Sequence, residues 1–188
     1  MIVERRTRET RVRVALTPRT GPVTVDTGIP LLDHMLTTLA QYAQWTLELR
    51  ARGDLRHHVV EDVAITLGAA LAQVTPEARA RFGHRVVPMD DALVAASIDV
   101  GGRRYYRGRL PSRLYTHWMR SFADAASCTL HLEVRRGHDR HHVVEAAFKA
   151  LGLALRDALA PFPEVHSTKG EVRLTAATAV ASDAGGAS

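Results

Sequence analysis

The pentapeptide His-His-Val-Val-Glu occurs twice in this chain, at His57–Glu61 and at His141–Glu145, a separation of 141 − 57 = 84 residues. Each copy offers two imidazoles and, one helical turn further on, a carboxylate. Neighbouring helical residues point about 100° apart, so two adjacent histidines cannot easily hold the same ion, whereas the glutamate lies one turn along from both. The pattern therefore points to two ions. Imidazole and carboxylate without thiolate suit a borderline to hard divalent cation such as manganese, iron, cobalt or zinc. A lone His-His pair reads more simply as a polar helix start, but helix-start polarity does not require the same five residues twice.

The elements that must position these groups repeat as well. His57–Leu71 and His141–Leu155 match at Val60/Val144, Ala64/Phe148, Leu67/Leu151 and Leu71/Leu155, apolar positions at helical spacing. Each motif thus opens an amphipathic helix, ended near Pro76 or Pro161. Upstream, Thr46–Leu49 and Thr129–Leu132 alternate as strands, each followed by a glycine turn, Gly53 or Gly137. Asp33-His34-Met35-Leu36 parallels Thr116-His117-Trp118-Met119 at the start of an earlier helix. Before that helix each half has a hairpin-like strand pair, Arg11–Leu16 with Val23–Thr27 and Leu93–Val100 with Arg103–Arg107, the second turning at Gly101-Gly102. The expectation is an α+β domain of two β-β-α-β-α halves, about 1–88 and 89–175, with helices on one face of each sheet. Glu171–Leu174 reads as a last short strand and 176–188 as a disordered tail.

At 188 residues and 46% hydrophobic, the chain suits one domain with a substantial core. Its single cysteine, Cys128, excludes a disulfide framework and a thiolate zinc cluster, and its apolar neighbours favour a buried filler. No stretch reaches the ~18 apolar residues of a membrane helix, so a cytoplasmic protein with no membrane partner is expected. A net charge of +5 suits an anionic partner. Scattered arginines and few aromatics argue for a small phosphorylated molecule rather than nucleic acid.

Longer motifs surround the double histidines: Thr7-Arg8-Glu9-Thr10, Thr27-Gly28-Ile29, Leu32-Asp33-His34-Met35-Leu36, Gly53-Asp54-Leu55, Pro88-Met89-Asp90, Gly102-Arg103, Thr129-Leu130-His131-Leu132, Ala146-Ala147-Phe148-Lys149-Ala150 and Ser167-Thr168-Lys169-Gly170. On these the chain, over roughly residues 5 to 170, resembles the imidazoleglycerol-phosphate dehydratase family, lyases of histidine biosynthesis with a ribosomal protein S5 domain 2-like fold. The resemblance implies dehydration of D-erythro-1-(imidazol-4-yl)glycerol 3-phosphate to imidazole acetol phosphate through an imidazolate gripped by two Mn2+ ions per active site. It implies His34, His57, His58, Glu61, His131, His141, His142 and Glu145 as metal ligands, three histidines and one glutamate per ion. It also implies a homo-oligomer, the 24-subunit shell, with metal sites at subunit interfaces.

By the same resemblance Glu9 contacts substrate or moves a proton, and Glu145 is the rival base. Arg103, Arg107, Lys149, Ser167 and Lys169 supply donors for the phosphate. Lys149 is informative without the family, because its counterpart in the first repeat is Ile65. His117 matches His34 by repeat, but the resemblance assigns His131 instead and leaves His117 structural. His84, His138 and His166 carry no role.

Three departures from the family pattern stand out. The segment before His57 is shorter, Thr38 replaces a substrate-contacting glutamine, and Leu31-Leu32 replace an aromatic pair. A related dehydratase of altered substrate, a dinuclear metal phosphohydrolase and a metal-stapled shell protein are the competing readings.

Overall fold

Val12, Val14 and Leu16 alternate with Arg11, Arg13 and Ala15, and this period of two makes Thr10–Thr17 a strand with one face sealed in the core. The computed structural model describes residues 1–77 and 79–162. Ser167 and Lys169, His166, the expected strand at Glu171–Leu174 and the expected tail at 176–188 lie outside the described residues.

The elements run β1 (Ile2–Arg6), β2 (Thr10–Thr17), β3 (Val23–Asp26), α1 (Pro30–Tyr42), β4 (Thr46–Gly53) and α2 (Arg56–Val74). The set then repeats as β5 (Phe82–Met89), β6 (Ala92–Val100), β7 (Tyr105–Arg107), α3 (Arg113–Ala125), β8 (Cys128–Arg136) and α4 (Arg140–Ala158). The duplicated α+β architecture is as expected, but each half carries one strand more, β1 or β5. The sheets are ordered β1-β2-β4-β3 and β5-β6-β8-β7. The pairs read as hairpins, β2 with β3 and β6 with β7, are therefore not neighbours. β4 lies between the first pair and β8 between the second, with β3 parallel to β4 and β7 parallel to β8. The hairpins are β1–β2 and β5–β6. A repeat boundary at 88/89 falls inside β5, whose partner β6 belongs to the second sheet, so the second sheet starts at Phe82. Pro88 is tolerated there because β5 is an edge strand.

The helices of the two halves pack against each other between the sheets, α1 on α4 and α2 on α3. Gly68 and Gly152, equivalent by the repeat since 152 − 68 = 84, make these approaches possible. A Cβ on Gly68 would stand 2.6 Å from the Phe122 carbonyl oxygen, and one on Gly152 would stand 2.7 Å from that of Leu39. One continuous apolar cluster fills the space between the sheets. Trp118 anchors it with rings 5.1 Å from Phe122 and 4.8 Å from Phe148. Trp118 and Phe148 are the chain neighbours of His117 and Lys149. Burying such rings costs about 3–5 kcal/mol to undo, so the backbone at both functional positions is firmly held.

Candidate metal centre

His34 enters through a fixed turn. Thr27 donates its N–H and hydroxyl to Asp33 Oδ1 at 2.8 and 2.5 Å, and Gly28 takes a positive φ of 75° that favours glycine. Pro30 then opens α1, where a missing N–H costs nothing. With Met35 and Leu36 buried, His34 is left facing out. On α4 the Asp139 carboxylate caps the helix, accepting the N–H groups of His141 and His142.

These two helix starts meet. Glu145 Oε2 lies 3.1 Å from His34 Nε2 and 3.0 Å from His141 Nε2, and the two imidazoles stack almost parallel, 5.8 Å apart. Lys149 Nζ holds the other oxygen, Oε1, at 3.0 Å. Burial pushes the Glu145 carboxyl up, but hydrogen bonds from His34 and Lys149 outweigh it and hold the group below its ordinary range, ionised as a ligand must be. The three ligand atoms lie within 4.8 Å of one another, a donor set suited to a divalent first-row ion.

The other half brings together only part of a counterpart. His117 Nε2 lies 3.3 Å from Glu61 Oε2, comparable to the 3.1 Å between His34 and Glu145. The corresponding histidine of α2, His57, sits edge-on to His58 with ring centroids 4.1 Å apart. His117 was expected to be structural and His131 a ligand; the structure places His117, and not His131, beside Glu61. On β8, Cys128, Leu130 and Leu132 are buried in the core, so alternation sends His131 to the opposite face of the sheet, away from the helices. There its ring lies tilted against Tyr105, with centroids 5.5 Å apart. Two signals in the chain pointed to His117: its match to His34 by repeat, and the flanking leucines of His131.

His58 and His142 join neither trio. His58 Nδ1 lies 2.8 Å from Asp54 Oδ1 and 3.5 Å from Glu9 Oε2. His142 Nδ1 lies 2.8 Å from Asp91 Oδ1. These hydrogen bonds raise both histidines and lower Asp54, while Asp91 is lowered first by the backbone N–H of His138 and then by His142. Glu9, Asp54 and His58 form a second group of potential ligand atoms within 4.8 Å. Glu9 is brought there by the β1–β2 turn, in which the Thr7 hydroxyl accepts the N–H groups of Glu9 and Thr10. Buried Asp62 of α2 clamps that turn through Thr10 Oγ1 and Arg5 Nε.

Of the expected phosphate donors among the described residues, Lys149 alone reaches the Glu145 cluster. Arg103 and Arg107 are exposed at and beyond the β6–β7 turn, Arg107 opposite His131 on the outer strand pair. Neither side chain pairs with a cluster among the described residues. Thr38 is 5% exposed and offers solvent nothing.

A family model for imidazoleglycerol-phosphate dehydratase matches residues 27–155. The Salinibacter ruber protein of that name is 48% identical, covering 89% of this chain and 93% of its own. The Pyrobaculum aerophilum protein of the same name is 49% identical, covering 88% and 96%. Among solved structures, IGPD from Pyrococcus furiosus superposes with a TM-score of 0.81 at 39% identity, covering 90% of this chain and 99% of its own.

Proposed function

Because the chain belongs to the imidazoleglycerol-phosphate dehydratase family, we propose that its two carboxylate–histidine trios hold two divalent ions with which it dehydrates D-erythro-1-(imidazol-4-yl)glycerol 3-phosphate. It is a hydro-lyase of histidine biosynthesis. The observation that carries the metal reading is Glu145, whose one oxygen faces imidazoles from both halves of the chain while its other is held by Lys149.

His34, His141 and Glu145 would hold one ion, and His57, Glu61 and His117 the other. A neighbouring copy supplies the remaining histidine in each case, His58 to the first and His142 to the second, because adjacent helical residues cannot share an ion. Metal binding and assembly of a homo-oligomer, which we take to be the 24-subunit shell, are then one equilibrium. We take the ion to be manganese, as the family resemblance implies and as an imidazole and carboxylate donor set allows. Bound there, the ions act as Lewis acids toward the substrate imidazole.

The chain's own residues meet the remaining demands. The reaction must expel a hydroxyl beside the ring and remove a proton from a carbinol carbon that no carbonyl acidifies. Both oxygens of Glu145 are engaged, whereas Glu9 is exposed at the hairpin tip with one looser approach, 3.5 Å from His58, so Glu9 is the better placed of the two to exchange that proton. Lys149 sits where an ammonium can bind the phosphate dianion, with Arg103, Arg107, Ser167 and Lys169 as further donors.

The test is to incubate the manganese-loaded protein with the substrate. The dehydratase yields an enolisable ketone that keeps its phosphate. Release of inorganic phosphate, or no product from metal-replete assembled protein, refutes the assignment.

A further inference from the structure

The second histidine of each pair turns toward an aspartate. His58 Nδ1 and His142 Nδ1 each lie 2.8 Å from a carboxylate oxygen, of Asp54 and Asp91 respectively. Duplication did not produce this likeness. Eighty-four residues after Asp54 stands His138, and eighty-four before Asp91 stands Thr7. Asp54 comes from the turn one helical turn before His58, whereas Asp91 comes from the β5–β6 turn, 51 residues before His142. Two unrelated backbone positions have converged on the same ring atom at the same distance.

A carboxylate can only accept, so each ring must donate from Nδ1, and a neutral ring then carries its lone pair on Nε2. We propose that Asp54 and Asp91 are positioning residues that lock His58 and His142 as the Nδ1–H tautomer and aim Nε2 at an ion held by a neighbouring copy. This inference rests on the two-ion reading of the site. Asp91 is itself fixed: its Oδ2 accepts the N–H groups of His138 at 2.5 Å and Asp139 at 3.1 Å, and Asp90 before it turns the chain at a φ of 47°. Asp54 Oδ1 also accepts the Leu55 N–H at 2.6 Å. Two further carboxylates face these rings. Glu9 stands 3.5 Å from His58 Nδ1, and Asp90 stands 3.3 Å from His142 Nε2. Both have well-exposed side chains that can swing aside, as Asp90 must when Nε2 takes a ligand's place. Outer partners of this kind set the tautomer and orientation of metal-bound imidazoles, and their loss typically weakens metal affinity about 10–100-fold.

The roles are separable because the two histidines serve different ions. Full-length wild type, Asp54→Ala, Asp91→Ala, the double variant, and the single Asn variants are stripped of metal and titrated calorimetrically with Mn2+, with helicity followed by circular dichroism. Wild type binds two ions per chain. Each Ala variant weakens one of the two by about 10–100-fold and the double variant weakens both. Asp54→Asn, whose one amide oxygen can still accept from both His58 and the Leu55 N–H, restores affinity to near the wild-type value, whereas Asp91→Asn cannot accept on both sides; helicity is unchanged throughout. Native affinity in both Ala variants, equal weakening of both ions by one substitution, or no rescue by Asp54→Asn overturns the inference. Wild type that fails to bind two ions overturns instead the metal reading beneath it.

Discussion

Replacing Gly152 with alanine tests whether the close α1–α4 approach is what assembles the first trio. The new Cβ would stand 2.7 Å from the Leu39 carbonyl oxygen, 2.9 Å from Tyr42 Cβ and 3.2 Å from the Ala43 nitrogen. Ordinary contact starts at 3.4 Å, so α1 must retreat by 3.4 − 2.7 = 0.7 Å. The obstacle is helix backbone, which cannot rotate away as a side-chain end could. Overpacking of this kind costs about 1–3 kcal/mol. Alanine returns about 1 kcal/mol of helix propensity, leaving a net loss of about 0–2 kcal/mol.

The effect on the site exceeds the effect on the fold. Glu145 lies 152 − 145 = 7 residues before Gly152 on α4, roughly 10 Å along the axis, and His34 lies at the matching level of α1. A rigid retreat of 0.7 Å would move His34 away from Glu145, now 3.1 Å apart, by up to that amount and pull the donor set out of its present geometry. The assay is manganese titration of folded variants at equal subunit concentration, beside their melting temperatures. Gly152→Ala should weaken the ion of His34, His141 and Glu145 about tenfold or more, with a melting shift of at most about 8 °C. Gly68→Ala, whose Cβ would meet the Phe122 carbonyl, should weaken the other ion. Unchanged metal affinity in both variants, or equal weakening of both ions by each, would refute the reasoning.

Three further outcomes follow from the same geometry. His117→Ala should cost one of two bound ions per chain while His131→Ala costs none, measured by metal content after gel filtration; the reverse pattern would restore the original assignment of His131. Lys149→Met should lower kcat/KM about 10–100-fold, from the loss of one charge-assisted hydrogen bond, and leave metal content intact, since Glu145 keeps both imidazoles. Cys128 is fully buried and burial pushes its thiol up to about 12, so thiolate is suppressed at any ordinary pH. Thiol reagents at pH 8.5 should therefore label it only on unfolding; labelling of the folded protein at the rate of a free thiol would contradict that burial.

What the sequence made legible was local. The helical spacing of Val60, Ala64, Leu67 and Leu71 and its repeat placed α2 and α4, and alternation placed β4 and β8. The edge strands were not legible for a physical reason. β1 turns only Val3 and Arg5 inward, and β5 contains a proline, so neither shows a clean two-residue period. Strand partnership was hidden too, because alternation says which face a residue takes and not which neighbour its backbone bonds. His131 shows how the local rule can overrule a motif: flanked by two buried leucines, it had to point away from the helices whatever family pattern it matched.

Comparison of the two trios explains why the halves have not remained identical. The Glu145 side chain is 9% exposed, enclosed by two imidazoles and Lys149, whereas that of Glu61 is 40% exposed and faces His117 with Ile65 where the lysine would be. Asp62, which clamps the hairpin bearing Glu9, has Ala146 as its counterpart. The first half thus presents an exposed carboxylate, Glu9, and the second a paired cation, Lys149, while both keep the same two histidines and glutamate. An imidazole presents two similar nitrogens to two similar ions and could bind either way round. On the proposed reading its phosphate-bearing chain could not, because among the described residues the Lys149 ammonium and the Glu9 carboxylate stand at different places. On that reading the departures from symmetry choose the substrate's orientation, and the preserved symmetry chooses the ring.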